Sequence, residues 1–232
     1  MEEKKNQHNT HVEFMGNLTN DIEWKQTEKG FWANGTVAIN NKTKDGEALK
    51  PDFFDFEYFA EKPFDLKKGN AIVGKGFLKG RSFEGKDGST VNMLPCIHVY
   101  KDELKPAVFE KGVQIVSNSI TVKGNLSGPV SDIKNPNNGK DFVSGTIFSN
   151  DTVNEQESSI PLAITSNGEA ANKLKKYTQK EFIEIKGSLK LDTYEKDGVK
   201  HKKLRVFVKD VNPVRTKEKT VNKKKDEPGR EM

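Results

Sequence analysis

Three short patterns occur twice in this chain of 232 residues, in the same order and at nearly constant spacing. Gly16-Asn17-Leu18 returns as Gly124-Asn125-Leu126, 108 residues later. Gly35-Thr36-Val37-Ala38-Ile39-Asn40-Asn41 returns as Gly145-Thr146-Ile147-Phe148-Ser149-Asn150-Asp151, offset 110, and Lys75-Gly76-Phe77-Leu78-Lys79 as Lys186-Gly187-Ser188-Leu189-Lys190, offset 111. Ordered self-similarity of this kind means two copies of one structural unit. The expected organisation is a disordered N-terminus at 1–11, one unit at 12–112, a second at 113–214, and a disordered basic tail at 215–232. The junction falls near Glu110 to Val116.

Each unit is expected to be built from five strands. In the first copy, Val12 to Leu18, Phe31 to Asn40, Phe53 to Phe59, Ala71 to Leu78 and Val91 to Tyr100 are apolar or alternating runs. Turn residues separate them, as at Glu28-Lys29-Gly30, Lys67-Lys68-Gly69 and Gly85-Lys86-Asp87-Gly88. Phe53-Phe54-Asp55-Phe56-Glu57-Tyr58-Phe59 places five aromatic rings in seven residues. Alternation sends Phe54, Phe56 and Tyr58 to one face and Phe53, Asp55, Glu57 and Phe59 to the other, so one set fills a core and the other needs a different use. With 33% hydrophobic residues, 31% charged residues and a mean hydropathy of −0.78, no single large core is expected. The class is mainly β.

The second copy has a helix-like segment, Gly168 to Tyr177, between its third and fourth strands; the first has only Glu61 to Asp65 in that slot. Five strands in Greek-key order with a helix there describe the OB-fold, which binds single strands or oligosaccharides on one open face. The expected fold is therefore two tandem five-stranded OB-fold barrels, with a short helix in the second.

The residues resemble the bacterial single-stranded DNA-binding proteins. Val12 to Asn41 is similar to that family's first hairpin, with its strand ending in Gly-Asn-Leu. Phe53 to Phe59 is similar to its third strand, and Lys68-Gly69 through Phe83 to its Lys-Gly turn, fourth strand and following loop. The resemblance covers residues 12 to about 105 well and 120 to about 214 more loosely. It implies that Phe53 and Phe59 stack on bases and that Phe83 is the aromatic of the long hairpin after the fourth strand. This chain departs from the family in three ways. Asp55 and Glu57 share the stacking face, which requires Lys75, Lys79 or Arg81 on the neighbouring strand to pair with them. There are two such units in one chain. The sequence ends Lys223-Lys224-Lys225-Asp226-Glu227-Pro228-Gly229-Arg230-Glu231-Met232 in place of an acidic tip.

The net charge of +5 and pI near 9.0 favour a polyanionic partner. Lys75, Lys79, Arg81 and Lys86 interleave with the rings of the first copy, and lysines including Lys202 and Lys203 do so in the second, as a phosphate track requires. Trp24 is expected to be exposed and available for stacking, Trp32 to be core. In the second copy the matching strand, Ile160-Pro161-Leu162-Ala163-Ile164, cannot stack bases; Tyr194, with Phe148, is what remains there. Four separated histidines and one cysteine, Cys96, give no metal spacing, no disulfide and no catalytic triad. No cofactor is expected. The absence of an apolar leader or a long apolar run points to a cytoplasmic protein that does not span a membrane. The function expected is the coating of single-stranded DNA in replication or recombination of a phage, plasmid or bacterial genome. The alternatives are a replisome adaptor whose aromatic face contacts protein, and an RNA-binding OB protein. Replication or recombination proteins as partners, and a homo-oligomer, including a dimer through first-strand pairing, are left open.

Overall fold

The computed structural model describes residues 7–42, 47–84, 89–107, 118–134, 141–153, 156–196 and 198–214. The first half supplies β1 (Thr10–Leu18), β2 (Glu23–Thr27), β3 (Gly30–Lys42), β4 (Ala48–Ala60), β5 (Ala71–Glu84) and β6 (Thr90–Pro106). The second supplies β7 (Asn118–Leu126), β8 (Ser131–Lys134), β9 (Asp141–Val153), β10 (Gln156–Ser166), helix α1 (Gly168–Leu174), β11 (Phe182–Lys196) and β12 (Val199–Pro213).

The repeated Gly-Asn-Leu has a physical cause at each position. A Cβ on Gly16 would lie 2.4 Å from the carbonyl oxygen of Ala38, and one on Gly124 2.2 Å from that of Phe148. These are the points where β1 crosses β3 and β7 crosses β9 to close the barrels, and a side chain would hold the crossing strands apart. The next residue, Asn17 or Asn125, donates its side-chain amide to a loop carbonyl, Gly69 O at 3.1 Å or Lys180 O at 2.7 Å. Leu18 and Leu126 then point into the cores. The repeated glycines of the third pattern sit at bulges: a Cβ on Gly76 would lie 2.1 Å from His98 O, and one on Gly187 2.2 Å from Phe207 O.

The strand order is β2-β3-β4-β6-β5-β1-β7-β11-β12-β10-β9-β8, with β3–β1 and β7–β9 as extra pairings. Each half thus closes a five-stranded barrel, β1-β3-β4-β6-β5 and β7-β9-β10-β12-β11, in which the third strand lies parallel to the fifth: Phe56 opposite Ile97, and Ile164 opposite Val206. The tandem OB-fold expectation holds. Each half also carries an edge strand that the sequence did not reveal, β2 or β8. β2 follows β1 within a few polar residues, and β8 has all four side chains exposed, so neither carries an apolar period.

The barrels share one hydrophobic cluster, joined where β1 pairs antiparallel with β7 from Thr10 opposite Val122 to Phe14 opposite Asn118. The first-strand pairing considered between chains is therefore made within the chain. The expectation of disorder through residue 11 is corrected for residues 7–11. Gln7 bridges Thr152, the Asn9 backbone N–H donates to Asp151 Oδ1 at 2.7 Å, and Thr10 is buried with its hydroxyl accepting the Leu78 N–H at 2.9 Å. The segment looked unstructured because its partners, in both halves, are groups distant in sequence. A further tie is the Lys190 ammonium, 3.3 Å from Asp52 and 2.6 Å from Asn41 Oδ1. The junction near Glu110 to Val116 and the basic tail lie outside the described residues. Among the described residues no helix is long and apolar enough to cross a membrane.

Helix α1 occupies the slot between β10 and β11, shorter than expected, with Ala170, Ala171 and Leu174 buried. In the corresponding slot of the first half, Leu66 is buried in the core from a segment outside any helix or strand.

Candidate nucleic-acid interface

Strand β4 has the alternation expected of it. Phe54, Phe56 and Tyr58 are buried, Phe53 is 44% exposed, and Phe59 is half-buried on the outer face. Its partner β3 places Ala38, Thr36, Asn34 and Trp32 opposite Phe53, Asp55, Glu57 and Phe59 respectively. Trp32 and Phe59 therefore sit opposite each other on the outer surface, with the Phe59 ring turned over Gly30, and each offers a ring of the kind on which bases stack. The Lys25 ammonium lies 5.6 Å from the Trp32 ring, within cation–π range.

The two tryptophans exchange their expected roles. Trp24 packs against the core, its indole N–H donating to Phe64 O at 3.0 Å and its ring beside Tyr58 and Phe64. It is not a free stacking surface. Trp32 lines the outer cavity instead. Residue spacing around the turn at Gly30 left the choice open, because either tryptophan can face the barrel until the register with β4 is known.

Both acidic residues of the face are neutralised. Asp55 accepts from the Arg81 guanidinium at 3.1 Å and from the Thr36 hydroxyl at 3.0 Å, while Arg81 Nε donates to Leu94 O at 2.9 Å. Glu57 accepts from the Lys79 ammonium and from His98 Nδ1, each at 2.6 Å. Strand β6 lies between β4 and β5, so these cations are not on the adjacent strand; their long side chains reach across it. Lys75 pairs with Glu13 of β1, 3.4 Å away, and not with either face carboxylate. Lys79 and Arg81 are thus anchored side chains, where the sequence had offered them as free phosphate contacts.

Burial would raise the Glu57 pKa, but the hydrogen bonds from His98 and Lys79, with their charges, outweigh it and bring the carboxyl from its ordinary 4.5 down to about 2. A depressed carboxyl contributes stability that is complete above about pH 4.5 and is lost as pH falls toward about 2. Glu57→Gln is expected to lower stability by about 1–3 kcal/mol near pH 7, less than the full 1.36 kcal/mol per pH unit because Lys79 is solvated. Denaturant unfolding at pH 7 and at pH 2.5 checks it: the gap between parent and variant should narrow markedly at the lower pH.

The outer cavity has a volume of about 640 Å³ and is walled by Trp32, Asn34, Thr36, Asp55, Glu57 and Arg81 among others. Cys96 lies at its edge, and burial pushes its thiol up to about 11, so it stays protonated and unreactive. The Phe83 backbone pairs with Val91 in the β5–β6 hairpin, whereas Lys86 lies outside the described residues.

The second barrel lacks this platform. Gly35 and Gly145 hold equivalent places, opposite Phe56 and Ile164, which makes Pro161 the counterpart of Phe53 and Ala163 that of Asp55. Phe148, 39% exposed, pairs with Pro161, and Tyr194, 48% exposed, stacks on His201 at 5.3 Å. Arg205 is tied to Asp192 at 2.6 Å. Among the described residues no group of three or more His, Cys, Asp or Glu is placed to hold a metal ion.

No family model matches the chain. A single-stranded DNA-binding protein of Paenarthrobacter nicotinovorans is 33% identical over 109 residues, which cover 43% of this chain and 62% of that protein. Two crystal structures of the single-stranded DNA-binding protein of Thermus aquaticus have the same fold. The wild-type structure superposes with a TM-score of 0.63 at 17% identity and covers 89% of this chain and 94% of its own. A deletion mutant gives 0.65 at 16%, covering 89% and 95%. The resemblance drawn from the residues is thus matched by a relative in sequence and by solved structures in fold.

Proposed function

We propose that this protein binds single-stranded DNA with little sequence preference and coats it during replication or recombination. One observation carries this: the outer face of the first barrel presents Phe53, Trp32 and Phe59 around a cavity whose strand-β4 carboxylates, Asp55 and Glu57, are already paired. Stacking on such rings is sequence-tolerant, since every base has a π-face, and it requires unpaired bases. The names of the similar proteins agree. In this account Phe53, Phe59, Trp32 and the hairpin residue Phe83 receive bases, Lys25 and Arg81 orient the strand, and Tyr194 contributes from the second barrel. The two units span 12–112 and 113–214, and the protein acts in the cytoplasm by binding alone.

The test is a titration of labelled oligo-dT, oligo-rU and duplex DNA at two salt concentrations. Oligo-dT is expected to bind well above duplex, with affinity falling as salt rises. Equal affinity for duplex would overturn the proposal, and preference for oligo-rU would redirect it to RNA.

A further inference from the structure

The two barrels enclose a second groove, of about 400 Å³, between the β5–β6 hairpin of the first and strands β10 and β12 of the second. Arg81, Met93 and Leu94 form one wall, and Pro161, Lys202 and Lys203 the other. Arg81 also lines the outer cavity of the first barrel, so the two spaces meet at that side chain. We propose that this groove is a second nucleic-acid subsite, taking the sugar–phosphate backbone of the same single strand as it leaves the aromatic face. The proposal rests on the single-strand function above and extends it across both barrels.

Charge distinguishes the two spaces. The outer cavity is walled by Asp21, Glu23, Asp55 and Glu57 against one cation, Arg81, which suits base edges and rings better than phosphates. The inter-barrel groove is lined by Arg81, Lys202 and Lys203 with no carboxylate. Lys75, Lys79 and Arg81 are all in ion pairs, but among the described residues no carboxylate pairs with Lys202 or Lys203. Unpaired cations in a concave, partly apolar setting attract a polyanion more strongly than compensated ones. Met93, 48% exposed, gives the groove an apolar wall against which a sugar or base can rest.

The groove is also fixed in width before any ligand arrives. A Cβ on Gly80 would lie 3.6 Å from the Ile160 side chain, so the gap between the barrels beneath the groove is no more than about a methyl group wide. The β1–β7 pairing, the Lys190–Asp52 contact at 3.3 Å and the Asn9–Asp151 bond at 2.7 Å hold them together. A strand bound here pays little to order the protein.

The test compares two oligo-dT lengths on the full chain. One is about 8 nucleotides, within the roughly 4–16 that a single OB barrel covers, and one is about 30, long enough to leave it. In the double variant Lys202→Ala, Lys203→Ala, the slope of log affinity against log salt for the long oligomer is expected to shrink by about 0.7 or more, the value of one lost phosphate contact, since neighbouring strand residues project to opposite faces. The slope for the short oligomer should stay within about 0.3 of the parent's, well under one contact. Met93→Glu, which adds a negative charge to the opposite wall, should weaken the long oligomer selectively. Thermal unfolding confirms that each variant is folded. Unchanged slopes at both lengths would overturn the subsite while leaving single-strand binding intact. An equal reduction at both lengths would overturn the order of the path, and failure of the parent chain to bind either oligomer would overturn the function itself.

Discussion

Trp32→Ala combined with Phe59→Ala is expected to weaken oligo-dT binding by roughly 2–6 kcal/mol, at about 1–3 kcal/mol for each base platform removed. The salt slope should not move, because stacking releases no counterions. The two residues lie opposite each other across β3 and β4 on the outer face, and Lys25 over Trp32 holds the indole in place. Phe53→Ala alone should cost about 1–3 kcal/mol on the same grounds. Neither Trp32 nor Phe59 is a fully buried core residue, so circular dichroism and thermal unfolding should change little. A loss of affinity below about 1 kcal/mol in the double variant, with the fold intact, would place the bases elsewhere.

Phe56→Ala is expected to lower the stability of the folded chain by about 3–5 kcal/mol, measured by denaturant unfolding. Phe56 is 1% exposed, packs toward Phe14 with ring centroids 6.1 Å apart, and touches the space above Gly35 where no side chain could fit. Removing the ring leaves a cavity directly behind the outer face, bounded by strands that cannot collapse because the barrel is closed. Affinity for oligo-dT should fall less than stability while the variant remains folded, since the stacking rings belong to the opposite parity of β4. A loss under about 1 kcal/mol would mean that β4 does not present this face to the core.

That parity was legible without coordinates, because alternation in β4 is a property of the strand itself. So was the duplication, since a glycine required at a strand crossing is required again wherever that crossing recurs. What was not legible depended on registers between strands distant in sequence. Trp24 and Trp32 could be assigned only once β3 was aligned with β4. The interposition of β6 between β4 and β5 set which cations could reach Asp55 and Glu57; adjacency in sequence pointed to direct neighbours. Lys75 was offered the same carboxylates and instead found Glu13 across β1. Residues 7–11 looked solvated because polar side chains that bond to a distant backbone carry no local signature. The groove between the barrels was invisible for the same reason, since its walls come from segments 63 to 124 residues apart.

The central claim is that single-stranded DNA binds on the outer face of the first barrel, and Trp32 can report on it directly. In a Trp24→Phe background, which loses one hydrogen bond worth about 0.5–1.5 kcal/mol but keeps the packing, Trp32 is the sole emitting indole. Titration with oligo-dT, followed at once by indole emission and by the anisotropy of a label on the oligomer, should show quenching that saturates at the same stoichiometry as binding. Saturable binding by anisotropy with Trp32 emission unchanged would contradict the account.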